Sequence, residues 1–246
     1  MLIADSLVKD FGDNRAVDGV SFTLERGEVL GFLGPNGAGK TTTMRMLAGC
    51  LEPDAGAASI AGYDCVQSRL EAQSRLGYLP EGAPSYPAMT PRGFVAFGLR
   101  ARGFDKAATQ RATDLALERA RLGPQADQPI GTLSKGYKRR AALAAAIAHD
   151  PAVLILDEPT DGLDPNQKDG MRDLIREMAP EKAIIISTHI LEEVPAVCSR
   201  AVIIDAGRIL FDGTPRDLAA TGPENSVESA FRALTLGRTP AVEEAS

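Results

Sequence analysis

Between residues 34 and 41 the chain reads Gly34-Pro35-Asn36-Gly37-Ala38-Gly39-Lys40-Thr41, a G-x-x-x-x-G-K-[ST] pattern directly after the aliphatic run 29–33. No other feature narrows the fold as much. A buried strand must feed a tight glycine-rich turn, and that turn must open a helix at Lys40. Glycines at 34, 37 and 39 let the backbone wrap so that its N–H groups point inward at phosphate oxygens. The helix adds the positive end of its dipole. Lys40 supplies a point charge for β and γ phosphates, and the Thr41 hydroxyl is a hard oxygen ligand suited to Mg²⁺. A Gly-rich turn ahead of an ordinary helix is the plainer alternative. The strand–turn–helix context favours nucleotide binding.

Around this loop the punctuation is that of one α/β unit with an insertion. Residues 2–8, 20–24 and 29–33 read as strands, being rich in aliphatic and β-branched residues between Gly or Asp/Asn turns. A helix follows from 40 to about 50, stopped by Gly49 and the turn at 53–56. Residues 76–79 form a short strand. From 80 to 133 the β signal vanishes: Thr90-Pro91 opens a helix to about 101, and a second runs from 106 to about 121. The run 152–156 reads as a strand buried on both faces. Helix 164–178, strand 183–186 and helix 190–198 follow. Residues 201–204 and 208–211 flank Asp205-Ala206-Gly207 as a hairpin. Thr214-Pro215 caps a short helix, and 227–236 makes another. The chain reads as one domain over 1–236 with a helical insertion at about 82–133, and 237–246 is expected to be a disordered tail.

Composition removes several classes. The longest apolar run, 141–148, is far short of the roughly 18 residues that cross a bilayer, and Met1–Ser6 has no basic leader and meets an acid at once. Thirty-three acidic against 27 basic residues give a net charge of -6, which disfavours a general nucleic-acid binder. Cys50, Cys65 and Cys198 lack C-x-x-C spacing and read as small apolar fillers in a reducing compartment. Two histidines, His149 and His189, exclude a His-rich metal site. His149 reads as a helix-end residue facing the last carbonyls. Arg139 and Arg140 read as a solvated helix face. Tyr63, Tyr86, Phe94 and Phe97 are either subdomain core or docking aromatics.

Asp157 and Glu158 end the apolar strand, on the edge where open α/β sheets hold their ligands. Alone, such a pair is equally what a surfacing strand leaves behind. With the phosphate loop, Asp157 suits the outer shell of Mg²⁺ and Glu158 suits polarising the water that attacks a γ-phosphate. His189 follows the strand at 183–186 and Ser187-Thr188, and so reaches the same edge.

Taken together, these motifs resemble the nucleotide-binding subunit of an ABC transporter, over about residues 2–211. Phe11 stands where that family stacks an aromatic on adenine; core packing is its alternative. Leu133-Ser134-Lys135-Gly136-Tyr137 resembles the signature usually written L-S-G-G-Q, whose helix N-terminus faces the γ-phosphate held by the other protomer. Asp161-Gly162-Leu163-Asp164 resembles the loop joining the protomers, and Ser187-Thr188-His189 the switch histidine.

The resemblance implies a P-loop NTPase core, a mixed sheet with flanking helices, carrying an antiparallel β subdomain and an inserted α-helical subdomain. It implies ATP hydrolysis with ATP and Mg²⁺, Glu158 and His189 being catalytic. The nucleotide-binding residues it implies are Phe11, 34–40, Thr41, Thr42, Glu81, Ser134, Lys135, Gly136 and Asp164, with Thr41, Asp157 and Glu81 on the metal. Pro35, Asn36 and Ala38 belong to the first group with the three glycines. The implied partners are a second copy of the chain in a head-to-tail sandwich and a separate integral-membrane permease, docked on about 81–102. The expected location is cytoplasmic, peripheral on the inner face of the cell membrane, without direct nucleic-acid contact. The short form, the Leu79-Pro80-Glu81 variant and a C-terminal helix at Val227-Glu228-Ser229-Ala230-Phe231 most resemble exporters of the multidrug, lipid or polysaccharide type; an ABC-type ATPase serving ribosomes or DNA is the alternative.

Two residues depart from the family pattern. Glu81 replaces a Gln and Lys135 replaces a Gly, and the two charges are expected to offset each other across the closed dimer or to be independent.

Overall fold

The computed structural model describes residues 1–83 and 85–235, so the expected tail at 237–246 lies outside the described residues. Among the described residues ten strands run β1 (Leu2–Phe11), β2 (Asn14–Leu24), β3 (Val29–Leu33), β4 (Ala55–Ile60), β5 (Tyr63–Asp64), β6 (Leu76–Leu79), β7 (Val153–Asp157), β8 (Ala183–Thr188), β9 (Arg200–Asp205) and β10 (Arg208–Gly213). The α-helices are α1 (Lys40–Leu47), α2 (Arg69–Ser74), α3 (Pro91–Ala101), α4 (Lys106–Arg119), α5 (Lys135–Ile147), α6 (Pro165–Met178), α7 (Val194–Val197), α8 (Pro215–Thr221) and α9 (Val227–Thr235).

Strands β10-β9-β3-β8-β7-β6 form one sheet, parallel except for the β9–β10 hairpin, and β2-β1-β4-β5 form a second, antiparallel one. The register decides where the chemistry falls. Leu33 pairs with Thr188, Asp157 with Ser187 and Leu79 with Leu156. The turns after β3, β8, β7 and β6 therefore leave from one edge, carrying Gly34, His189, Glu158 and Glu81. Strands β3, β7 and β8 are buried along their whole length, because helices cover one face and α1 with the antiparallel sheet covers the other.

Most boundaries follow the sequence signals. Helix α1 ends earlier than expected, in a Schellman turn: Gly49 has φ +66, with Gly49 N–H donating to Met46 O and Cys50 N–H to Arg45 O. The helix expected at 190–198 breaks into a 3-10 turn, Leu191–Glu193, and the four-residue α7. Pro195 sits in the first turn of α7, where its missing N–H is harmless. Strand β4 begins inside the expected turn at 53–56. Its Ala- and Ser-rich sequence has little intrinsic β preference, and pairing with β1 makes it a strand.

Three further readings are corrected. Cys50 is exposed rather than a filler, while Cys65 is buried and all three thiols are free. Arg139 is 3% exposed and Arg140 half-buried, because α5 is packed on most sides. His149 does not face its own helix end: its Nε2–H donates to Leu76 O at the start of β6, 2.9 Å away.

Burial, reinforced by Arg102, lowers the His149 pKa from 6.5 to about 4. The folded chain therefore favours neutral His149, and the unfolded chain takes up the proton first as the pH falls. The stability this histidine provides is complete above about pH 6.5 and is lost as the pH drops towards 4. Thermal melts across that window should fall for the wild type and fall less for His149→Gln, which keeps a donor for Leu76 O. Parallel curves would refute the assignment.

Candidate nucleotide site

The phosphate loop is held by contacts that only glycine permits. Gly39 has φ +104, and a Cβ there would lie 2.4 Å from Ala16 O on β2. Gly207 N–H, from the β9–β10 turn, donates to Ala38 O at 3.0 Å. Lys40 is 7% exposed, and its Nζ donates to Gly34 O at 2.7 Å and Pro35 O at 3.1 Å. Burial lowers its pKa, against the opposing pull of Glu158, Asp157 and Glu81. A buried ammonium facing three carboxylates is poised for a polyanion that brings its own cation.

A cleft of about 600 Å³ opens over this loop. Asn36, Gly37, Gly39, Lys40, Thr41 and Thr42 form its floor. Phe11, Asn14 and Ala16 of the β1–β2 hairpin wall one side, and Glu81, Glu158, Asp161 and His189 face them. Phe11 is 52% exposed, so it is a wall of the cleft and not a core aromatic. A second cavity of about 640 Å³ adjoins it, sharing Thr41, Glu81 and Asp161 and adding Asp157, Lys135 and Arg139.

Asp157, fully buried, accepts from the Ser187 hydroxyl through Oδ1, while its Oδ2 has no hydrogen-bond partner. Asp157 lines a cavity together with Thr41 and Glu81. An unpartnered buried carboxylate oxygen beside a hydroxyl is the donor set a hard divalent cation needs, so these residues fit Mg²⁺.

Glu158 adopts φ +52, a left-handed conformation that is strained for this residue type. Its N–H donates to both Ser187 O and Ser187 Oγ. Its Oε2 accepts from Nδ1 of His189 at 2.9 Å. Burial raises the Glu158 pKa, His189 and Lys40 pull it down, and Asp157 adds to the rise.

The remaining expected residues lie elsewhere. Ser134 caps α5, accepting from Tyr137 N–H, and Gly136 packs so closely on Gln167 that a Cβ would meet its side chain at 2.4 Å. Asp164 caps α6, accepting from Gln167 N–H at 3.0 Å; Asp161, not Asp164, lines this chain's cleft. Lys135 is exposed, and its Nζ lies 3.4 Å from Asp161 of its own chain and over Gly162. Arg139 donates to Asp161 O at 3.3 Å, a role hidden from the sequence because its burial is set by packing. Asn14 and Ala16 were likewise invisible, since their position depends on the hairpin pairing of β1 and β2.

Sheet edge, phosphate loop and carboxylate pair together define a P-loop nucleotide-hydrolysing cassette. The comparisons make this specific: residues 17–161 match the ABC transporter family model, and the chain belongs to that family, as an ATP-binding subunit with ATPase activity. It is 43% identical over 212 residues to the Nod factor export ATP-binding protein I of Burkholderia lata, covering 85% of this chain and 69% of that one. It is 39% identical over 218 residues to the ABC transporter ATP-binding protein YxlF of Bacillus subtilis, covering 89% and 72%. A solved structure of an ATP-binding subunit of an ABC transporter superposes with TM-score 0.85 at 28% identity, covering 95% of this chain and 99% of that one.

Proposed function

We propose that this chain hydrolyses Mg-ATP within a head-to-tail homodimer and passes the closing movement to a separate membrane permease, for export. The observation that carries this reading is the division of the site. The phosphate loop, Glu158 and His189 line one cleft, whereas Ser134 and Gly136 at the α5 N-terminus do not line it. A second copy supplies that helix end. Export is supported by the likeness to the Burkholderia lata protein, whose name records that role.

Lys40 and the loop amides bind the phosphates, and Phe11 bounds the base side. Thr41, Asp157 and Glu81 would hold Mg²⁺, which when bound neutralises charge on the phosphate oxygens. Glu158 takes the proton of the attacking water. His189 donates Nδ1–H to Glu158 and so holds that carboxylate in place at the sheet edge.

Tyr86 and Phe97 are exposed and pack edge-on at 5.8 Å, with Phe94 at 6.1 Å from Tyr86. They supply an apolar patch for the permease within 81–102. Among the described residues no helix is long and apolar enough to cross a membrane, consistent with a separate permease and a peripheral place on the inner membrane face. The single domain over 1–236, with its helical insertion at 82–133, is the unit that acts. Copurification with a detergent-solubilised permease, and ATPase activity raised by it, tests the reading. Stimulation by ribosomes or DNA instead would overturn it.

A further inference from the structure

Glu193 is a buried acid for which the proposed reaction has no use. It closes the 3-10 turn four residues beyond His189 and is 5% exposed. Its Oε2 accepts from the Thr160 hydroxyl at 2.7 Å and from the Thr188 hydroxyl at 3.4 Å. Arg172 of α6 brings Nη2 to 3.6 Å from its Oε1, which accepts no hydrogen bond. A carboxylate is costly to bury unless its partners hold it, so its place is fixed by the groups it joins.

Those groups belong to the two catalytic turns. Thr160 lies two residues after Glu158, and Thr188 lies one before His189. Thr188 Oγ1 also accepts from Ile190 N–H at 3.0 Å, so the backbone is fastened on both sides of the histidine. The sheet ladder ends at Asp157 and Thr188. Beyond it, Glu158 N–H still bonds Ser187 O, and from there side chains join the turn of the left-handed Glu158 to that of the histidine.

We propose that Glu193 is a positioning residue that ties the turn after β7 to the turn after β8 and so sets the contact between Glu158 and His189. This rests on the assignment of those two residues to hydrolysis. Behind the tie, Leu191 and Val194 pack with Leu218, Ala230 and Phe231, so the segment keeps an apolar anchor when the carboxylate is removed.

The test uses the full chain carrying Glu193→Ala, Glu193→Gln or Thr160→Val, with steady-state ATPase rates and calorimetric ADP affinity. In Glu193→Ala and Thr160→Val, kcat should fall at least about tenfold, the scale on which misplaced catalytic groups lose rate. ADP affinity should stay unchanged, because the phosphate loop lies outside the network. Glu193→Gln keeps an accepting oxygen and should retain most of the rate.

If Glu193→Ala fails to fold, Thr160→Val, which removes one hydroxyl, makes the same comparison. Rates within about twofold of wild type in every variant that folds would overturn the proposal. So would losses of rate matched by losses of ADP affinity, with Gln no better than Ala. A wild-type chain that turns over normally while its variants behave in these ways sinks the positioning role alone. A wild type without Glu158-dependent hydrolysis sinks the assignment beneath it.

Discussion

In Glu158→Gln, ATP hydrolysis should fall by about 10²- to 10⁴-fold, the range a positioned general base contributes, while Mg-ATP still binds. The amide preserves the shape of the side chain and removes the acceptor for the water's proton. It also removes a charge that the site holds at a cost: burial raises the Glu158 pKa, and the folded form favours its protonation. The thermal midpoint should therefore not drop, which separates lost chemistry from lost folding. The sign of the pH effect follows. A base acts only when ionised, so kcat in the wild type should fall as the pH drops through a value above the usual carboxylate range. Single-turnover rates against pH, beside calorimetric binding, check both statements. A Gln variant that hydrolyses within about threefold of wild type would remove Glu158 from the mechanism.

Lys40→Met should weaken Mg-ATP binding by roughly 10- to 100-fold, the scale of a lost charge-assisted hydrogen bond. Met is close in length and apolar, so it suits a pocket that leaves Lys40 7% exposed. The chain should stay folded, because the variant loses two bonds to Gly34 O and Pro35 O but also the desolvation of an ammonium. Titration calorimetry with Mg-ATP measures the effect. Unchanged affinity would mean that the loop binds its ligand through backbone amides alone.

How far the sequence carried these conclusions varies by element. The β3–loop–α1 unit, the strand that ends in Asp157 and the strand before His189 were legible because short-range rules determine them: aliphatic runs, glycine turns and caps. Helix α3 was legible to the residue from Thr90-Pro91. Strand β4 was not, because its identity comes from pairing 50 or so residues back along the chain with β1. Site residues divided in the same way. Lys40 and Glu158 announce themselves by motif. Arg139 was misread as solvated, and Thr160 and Glu193 were passed over, because a polar side chain gives no local sign that packing will bury it. Lys135, expected either to offset Glu81 across a dimer or to act independently of it, lies 3.4 Å from Asp161 of its own chain.

The fit of Gly39 against Ala16 O, together with the Gly207 and Asp18 bonds that bracket it, has a mechanical corollary. The base-side wall and the phosphate floor are cast as one stiff jaw, since neither shifts without carrying the β1–β2 hairpin along. Breathing of the cleft then falls to the opposing jaw, the turns bearing Glu81, Glu158 and His189. Nucleotide entry should accordingly be felt first by the helical insertion beyond Glu81, and last by the antiparallel sheet that carries Phe11.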